Sequence, residues 1–177
     1  MRSIEKAISD RMQKSSTNGQ GERNVLILGI GNLLMGDEGV GVHFIHALFE
    51  QKIEISQADI IDGGVGGFAL MGYFDDYEHI IFIDATMDGK TPGSISLIEP
   101  KFASDFPQAL SAHDFGLKDM IESLYLLGKM PNLYLFTVTI PSILPMSLEL
   151  SSEVQNSIPE LIKKVSTLIA QISNSHS

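Results

Sequence analysis

At 177 residues, with 44% hydrophobic and 19% charged residues, the chain has the composition of a soluble globular domain rather than a disordered polymer. Its 12 Lys+Arg against 22 Asp+Glu give a formal net charge of −10. That balance argues against nucleic acids and anionic membranes as partners, since both need a positive face. The absence of cysteine excludes disulfides, thiolate metal ligands and cysteine nucleophiles together. No apolar run approaches the ~20 residues of a membrane span.

Residues 1–23 are polar, end in Ser15-Ser16-Thr17-Asn18-Gly19-Gln20-Gly21 and lack the apolar region of a signal peptide. They read as a flexible N-terminal extension, leaving 24–177 as a single domain. Val25-Leu26-Ile27-Leu28 is a short unbroken apolar run, suited to a parallel strand buried on both faces. Gly29 and Gly31 then permit a sharp turn and close backbone approach. Asp37 and Glu38 follow, before a helix from about Gly39 to Lys52 whose inner stripe is Val42, Ile45 and Leu48/Phe49.

A second strand is expected over Ile53–Ile55 and Ala58–Ile61, running into the glycine-dense loop Asp62-Gly63-Gly64-Val65-Gly66-Gly67. Phe68 to Phe74 has the pattern of a short amphipathic helix. His79-Ile80-Ile81-Phe82-Ile83 is apolar enough to be the central strand, ending at Asp84-Ala85. The turn around Asp88-Gly89 and Pro92-Gly93 leads straight into Ser94–Ile98. That connection is too short for a crossover helix, which makes the fourth strand antiparallel. A loop holding His113 and Asp114, a helix from Phe115 to Leu127 stopped by Gly128, a fifth strand over Leu133–Ile140 and a closing helix from Val154 to Ile172, with Pro159 early in it, complete the chain. The alternation is that of an α/β protein with helices on both sheet faces.

Acids fall at three strand ends: Glu38 with Asp37, Asp62, and Asp84. His113 lies in a later loop. In open α/β sheets ligands bind at the carboxyl ends of the strands, where neighbouring chains lie about 5 Å apart. Two carboxylates and an imidazole suit nickel, zinc, iron or manganese, and can equally position a water for hydrolysis. Each residue also has a structural alternative. Asp37 can cap the helix, with Glu38 favouring its dipole. Asp84 can satisfy turn amides, and a lone loop histidine such as His113 is commonly a hydrogen-bonded surface group. His43 and His46 on the first helix and His79 at a strand start read as structural. The glycines lack the third position of a dinucleotide fingerprint, where Leu34 stands, so a nucleotide-binding domain has little support. There is no G-x-S-x-G elbow and no H-E-x-x-H.

Gly29-Ile-Gly31-Asn32-Leu-Leu-Met-Gly-Asp37-Glu38-Gly-Val-Gly41 resembles the opening motif of the nickel–iron hydrogenase maturation endopeptidases. Asp62-Gly63-Gly64-Val-Gly66, Ile-Phe-Ile-Asp84-Ala85 and Ser111-Ala-His113-Asp-Phe-Gly116-Leu117 resemble that family's later motifs, in family order. The resemblance runs from about Asn24 to about Leu168. It implies a three-layer α/β/α sandwich around a twisted, mostly parallel five-stranded sheet. It also implies a cytosolic peptidase that removes a C-terminal peptide from the nickel-loaded hydrogenase large-subunit precursor. The metal-binding and catalytic roles carry over to Glu38, Asp84 and His113, with Asp37 and Asp62 as candidates for orienting ligands. Nickel is then carried by the precursor and no organic cofactor is implied. The partner is the precursor itself, engaged transiently by a monomer, with no nucleic acid and no membrane insertion. Two departures stand out: Asp-Glu in the first acidic pair where many relatives carry Asp-Asp, and the extra residues 1–23. The alternative of another class is a non-catalytic nickel-checking or escort protein using the same three ligands.

Overall fold

The computed structural model describes residues 24–55, 57–74, 76–101, 105, 115–126, 128, 130–143 and 146–174, with the side chains of 68–69 and 115–120 left out. The expected N-terminal extension over 1–23 and the loop carrying His113 lie outside the described residues. Five strands, β1 (Val25–Ile30), β2 (Ala58–Gly64), β3 (His79–Thr86), β4 (Ile95–Ile98) and β5 (Asn132–Thr139), form one sheet in the order β2-β1-β3-β5-β4. All pairings are parallel except β4 with β5, as the short turn before β4 requires. β3 is the central strand and all eight of its residues are buried.

Side chains alternate across the strands and so feed two cores. Val25, Ile27, Ile81, Ile83, Phe136 and Val138 face one layer, formed by helices α1 (Val40–Glu50) and α3 (Ser152–Asn174). Leu26, Leu28, Ile80, Phe82, Leu133 and Leu135 face the other. That second layer consists of a 3-10 helix (Gly67–Tyr73) and helix α2 (Phe115–Leu126). The three-layer α/β/α sandwich follows from these two faces.

Local departures from the sequence reading have physical causes. The inner stripe of α1 includes fully buried Phe44, whereas Phe49 is 38% exposed. This helix packs on both the sheet and α3, which widens its apolar arc beyond a single stripe. Ile53–Ile55 do not join β2, because Ala58 is already level with Val25 at the start of β1. At its other end β2 runs on through Asp62 to Gly64, with a register shift against β1 at Gly29/Ile30. Pro159 sits two turns inside α3 rather than at its start. It removes the bond to Gln155, and both residues lie on the exposed face, where water can reach the freed carbonyl.

Candidate active site

The strand register places two of the acids within one residue of the same level, on opposite faces of the sheet. Asp62 and Ile83 are both paired with Gly29, so Asp62 on β2 and Asp84 on β3 flank the end of β1 on either side. The chain leaving β1 supplies the third. After Ile30 it turns through Gly31 (φ +134) into a short 3-10 helix (Gly36–Gly39) holding Asp37 and Glu38, and α1 follows directly. Two close approaches press this turn onto the sheet. A Cβ on Gly31 would overlap the carbonyl oxygen of Glu38, and one on Gly41 would overlap those of Ile83 and Ile30. Glycine is required at both, and the start of α1 therefore rests on the backbone immediately before Asp84. Glu38 and Asp84 are each 0% exposed. Asp84 Oδ1 accepts the Ala85 N–H at 2.7 Å. By alternation Asp84 lies on the Ile80/Phe82 face, the face that α2 covers.

Asp37 is not the helix cap that the sequence allowed. The 3-10 turn has no side-chain cap, and the Asp37 carboxylate, 1% exposed, instead accepts the Ser151 N–H through Oδ1 at 2.6 Å. Ser151 directly precedes α3, and its hydroxyl accepts the Val154 N–H. One buried acid thus joins the turn carrying Glu38 to the start of the last helix. The Gly36 N–H also donates to the Ser147 carbonyl at 2.9 Å, and His43 bonds the Leu148 backbone, so the segment 147–151 is tied to the site at three points. No sequence signal reveals this, since Asp37 and Ser151 are 114 residues apart.

The tie predicts a graded mutational response. Asp37→Ala removes a charged acceptor from an amide, costing roughly 1.5–3 kcal/mol. For a domain of this size that lowers the thermal midpoint by roughly 3–12 °C. Asp37→Asn keeps the acceptor oxygen and loses less. Equal losses in the two variants, read by thermal unfolding, would contradict the tie.

His43 supplies a pH dependence. Burial, and then the neighbouring His46, hold its imidazole below the ordinary 6.5, against the opposing pull of the Leu148 carbonyl, Asp37 and Glu50. Between the depressed folded value and 6.5 the unfolded chain binds more protons, so stability declines as pH is lowered through that window. Unfolding followed at several pH values below about 7 should show that slope flattened in His43→Gln. An unchanged slope in the variant would assign it to other groups.

The remaining histidines divide clearly. His79 is buried, stacks on Tyr134 and lies level with Val25, at the strand ends opposite the acids; it is structural, as its position suggested. His46 is not a bystander: its Nε2 lies 3.3 Å from Asp62 Oδ2. Among the described residues no group of three or more His, Asp or Glu side chains is arranged to hold a metal ion. His113, the third expected ligand, is outside them. What the described residues show is two buried carboxylates, Glu38 in the turn after β1 and Asp84 on β3, with Asp62 on β2 at the other flank of β1.

Known proteins share this sequence pattern and fold. The family model for hydrogenase maturation proteases matches residues 42–168, a span that holds Asp62, Asp84 and His113 and begins just after Glu38. The chain is similar to the hydrogenase 2 maturation protease of Escherichia coli, with 32% identity over 127 residues, 71% of this chain and 75% of that one. Its fold is similar to the solved hydrogenase maturating endopeptidase HybD from E. coli. That likeness has a TM-score of 0.73 and 29% identity, and covers 84% of this chain and 93% of the other. It is also similar to the HybD maturation protease from Thermococcus kodakarensis, with a TM-score of 0.68 and 25% identity over 82% and 99% of the two chains. With the family model spanning well over half the chain and the fold shared throughout the domain, this chain belongs to the hydrogenase maturation protease family and is an endopeptidase.

Proposed function

We propose that this enzyme removes a C-terminal peptide from the nickel-loaded large-subunit precursor of a nickel–iron hydrogenase, acting in the cytosol as a monomer in transient complex with its substrate. The observation that carries this reading is the full burial of two carboxylates, Glu38 in the 3-10 turn that follows β1 and Asp84 towards the end of neighbouring β3, in a member of this family. Burying a carboxylate costs folding free energy, and two such groups at the ligand-binding end of a sheet suit a cation.

In this reading the cation is the nickel of the precursor, and it arrives with the substrate. Glu38, Asp84 and His113 complete its coordination; two hard oxygens and an imidazole nitrogen are a suitable donor set. Asp62 and Asp37 orient the surrounding backbone. Docking the nickel sets the scissile bond beside the carboxylates. A carboxylate of this pair takes the proton of the attacking water, as an aspartyl-type general base. The adjacent nickel polarises the scissile carbonyl. With no cysteine in the chain and no serine elbow, direct attack by water is the route that these residues offer. The net charge of −10 keeps nucleic acids and anionic membranes off the surface, and no described helix is long and apolar enough to cross a membrane.

Incubation with a cognate nickel-loaded precursor tests the reading. The precursor should lose mass corresponding to a C-terminal peptide, and that peptide should appear free. A stable complex with both masses unchanged would make the protein an escort and overturn the proposal.

A further inference from the structure

An unbroken series of contacts runs from the middle of α1 to the backbone of Glu38. His46 Nε2 lies 3.3 Å from Asp62 Oδ2, and the other oxygen of that carboxylate accepts the Gly64 N–H at 3.0 Å. Gly64, held at φ +48, turns its carbonyl to the Gly31 N–H, again at 3.0 Å. Gly31 in turn lies against the Glu38 carbonyl so closely that no Cβ fits. The helix that starts just after Glu38 therefore reaches back, two turns on, to hold the glycine-rich loop beside it. Both ends of this hold are only half-buried, the side chains being 32% and 31% exposed. The loop it controls is open to solvent, with Val65 58% exposed.

From this geometry we infer that His46 is a positioning residue. It fixes the Asp62 carboxylate, and through it the loop from Asp62 to Gly66, in the place where the precursor's extended C-terminal segment is received. The hydrogen bond does this work: a donor at Nε2 occupies the one Asp62 oxygen that the turn amide does not use, so the carboxylate cannot rotate away from Gly64. An extended peptide lying over the loop meets backbone with no side chain at half-buried Gly64 and exposed Gly66, and the position of that backbone decides how well it is bound. His46 touches neither the reacting bond nor the nickel. Its effect is on substrate binding more than on the chemical step. The inference rests on the peptidase reading proposed above for the substrate, and on the contacts from His46 to Gly31 alone for the hold itself.

Two variants and two readouts test it. His46→Ala removes the donor, whereas His46→Gln places an amide N–H within similar reach. In the free protein, amide hydrogen exchange at Gly31 reports the hold without any substrate, because its N–H is buried against the Gly64 carbonyl. We expect exchange about tenfold faster in His46→Ala, the size set by losing one hydrogen bond, and close to wild type in His46→Gln. With nickel-loaded precursor, KM should rise by about three- to tenfold in His46→Ala while kcat stays within about twofold, and His46→Gln should restore KM. Unchanged Gly31 exchange in His46→Ala would overturn the hold. An unchanged KM, or an equal fall in kcat with KM constant, would overturn the role in substrate binding. A wild-type enzyme that cuts no precursor would contradict the proposed function instead, and the exchange result would still decide whether His46 holds the loop.

Discussion

Glu38→Gln, Asp84→Asn and His113→Ala are each expected to lower kcat/KM for nickel-loaded precursor by at least about 100-fold, ~2.7 kcal/mol of transition-state stabilisation. The substitutions at Glu38 and Asp84 preserve shape and replace an anionic donor by a neutral one. On the proposed reading each substitution removes a nickel ligand, and with it the bond that would set the scissile carbonyl beside the carboxylates. Stability should respond differently. Glu38 and Asp84 are fully buried, and holding a charge there is costly, so a neutral amide of the same size relieves part of that cost. The thermal midpoints of these two variants should lie within a few degrees of wild type or above it. Loss of activity with retained stability is the pattern of residues kept for function. Steady-state processing assays combined with thermal unfolding check both halves. Wild-type processing by any of the three variants would remove that residue from the site.

The second large effect is expected at Gly41. Alanine is the better helix former by about 1 kcal/mol, and at an ordinary helical position it would stabilise. Here its Cβ would overlap the carbonyl oxygens of Ile83 and Ile30, both in buried central strands with no freedom to yield. Overpacking against backbone costs about 3 kcal/mol or more, so sterics outweigh propensity. The net loss of roughly 2 kcal/mol or more corresponds to a midpoint lowered by at least about 4 °C. Activity should fall further than stability alone explains, because relief of the overlap lifts the start of α1 from β3 and carries Glu38 away from Asp84. Thermal unfolding and processing of Gly41→Ala measure the two effects. A midpoint within about 1 °C of wild type, with full activity, would contradict the close approach.

The fold was largely legible because its signals are local. Apolar runs such as Val25–Leu28 and His79–Ile83 mark strands buried on both faces, and the brief turn from Asp88 to Gly93 fixes β4 as antiparallel. Errors arose where a tertiary neighbour decides. Ile53–Ile55 look strand-like but pair with no strand among the described residues, and the burial of Phe44 depends on α3 packing across α1. The site followed the same division. Acids at strand ends can be read from sequence because strand ends can be. The family motifs then selected Glu38, Asp84 and His113 among several acids and histidines that spacing alone could not rank. The task of Asp37 was hidden, because its partner Ser151 lies 114 residues on. The contact of His46 with Asp62 was hidden for a similar reason: it depends on how α1 crosses β2, which no local pattern encodes.

The central claim is that nickel in the precursor is what Glu38, Asp84 and His113 recognise. Intact-mass spectrometry of the same large-subunit precursor, with and without nickel loaded, after incubation with wild-type enzyme tests it most directly. The account predicts loss of the C-terminal peptide from the nickel-loaded precursor alone, the nickel-free form remaining intact. Equal cleavage of both forms would leave the protein an endopeptidase and contradict the nickel-sensing role of the three residues.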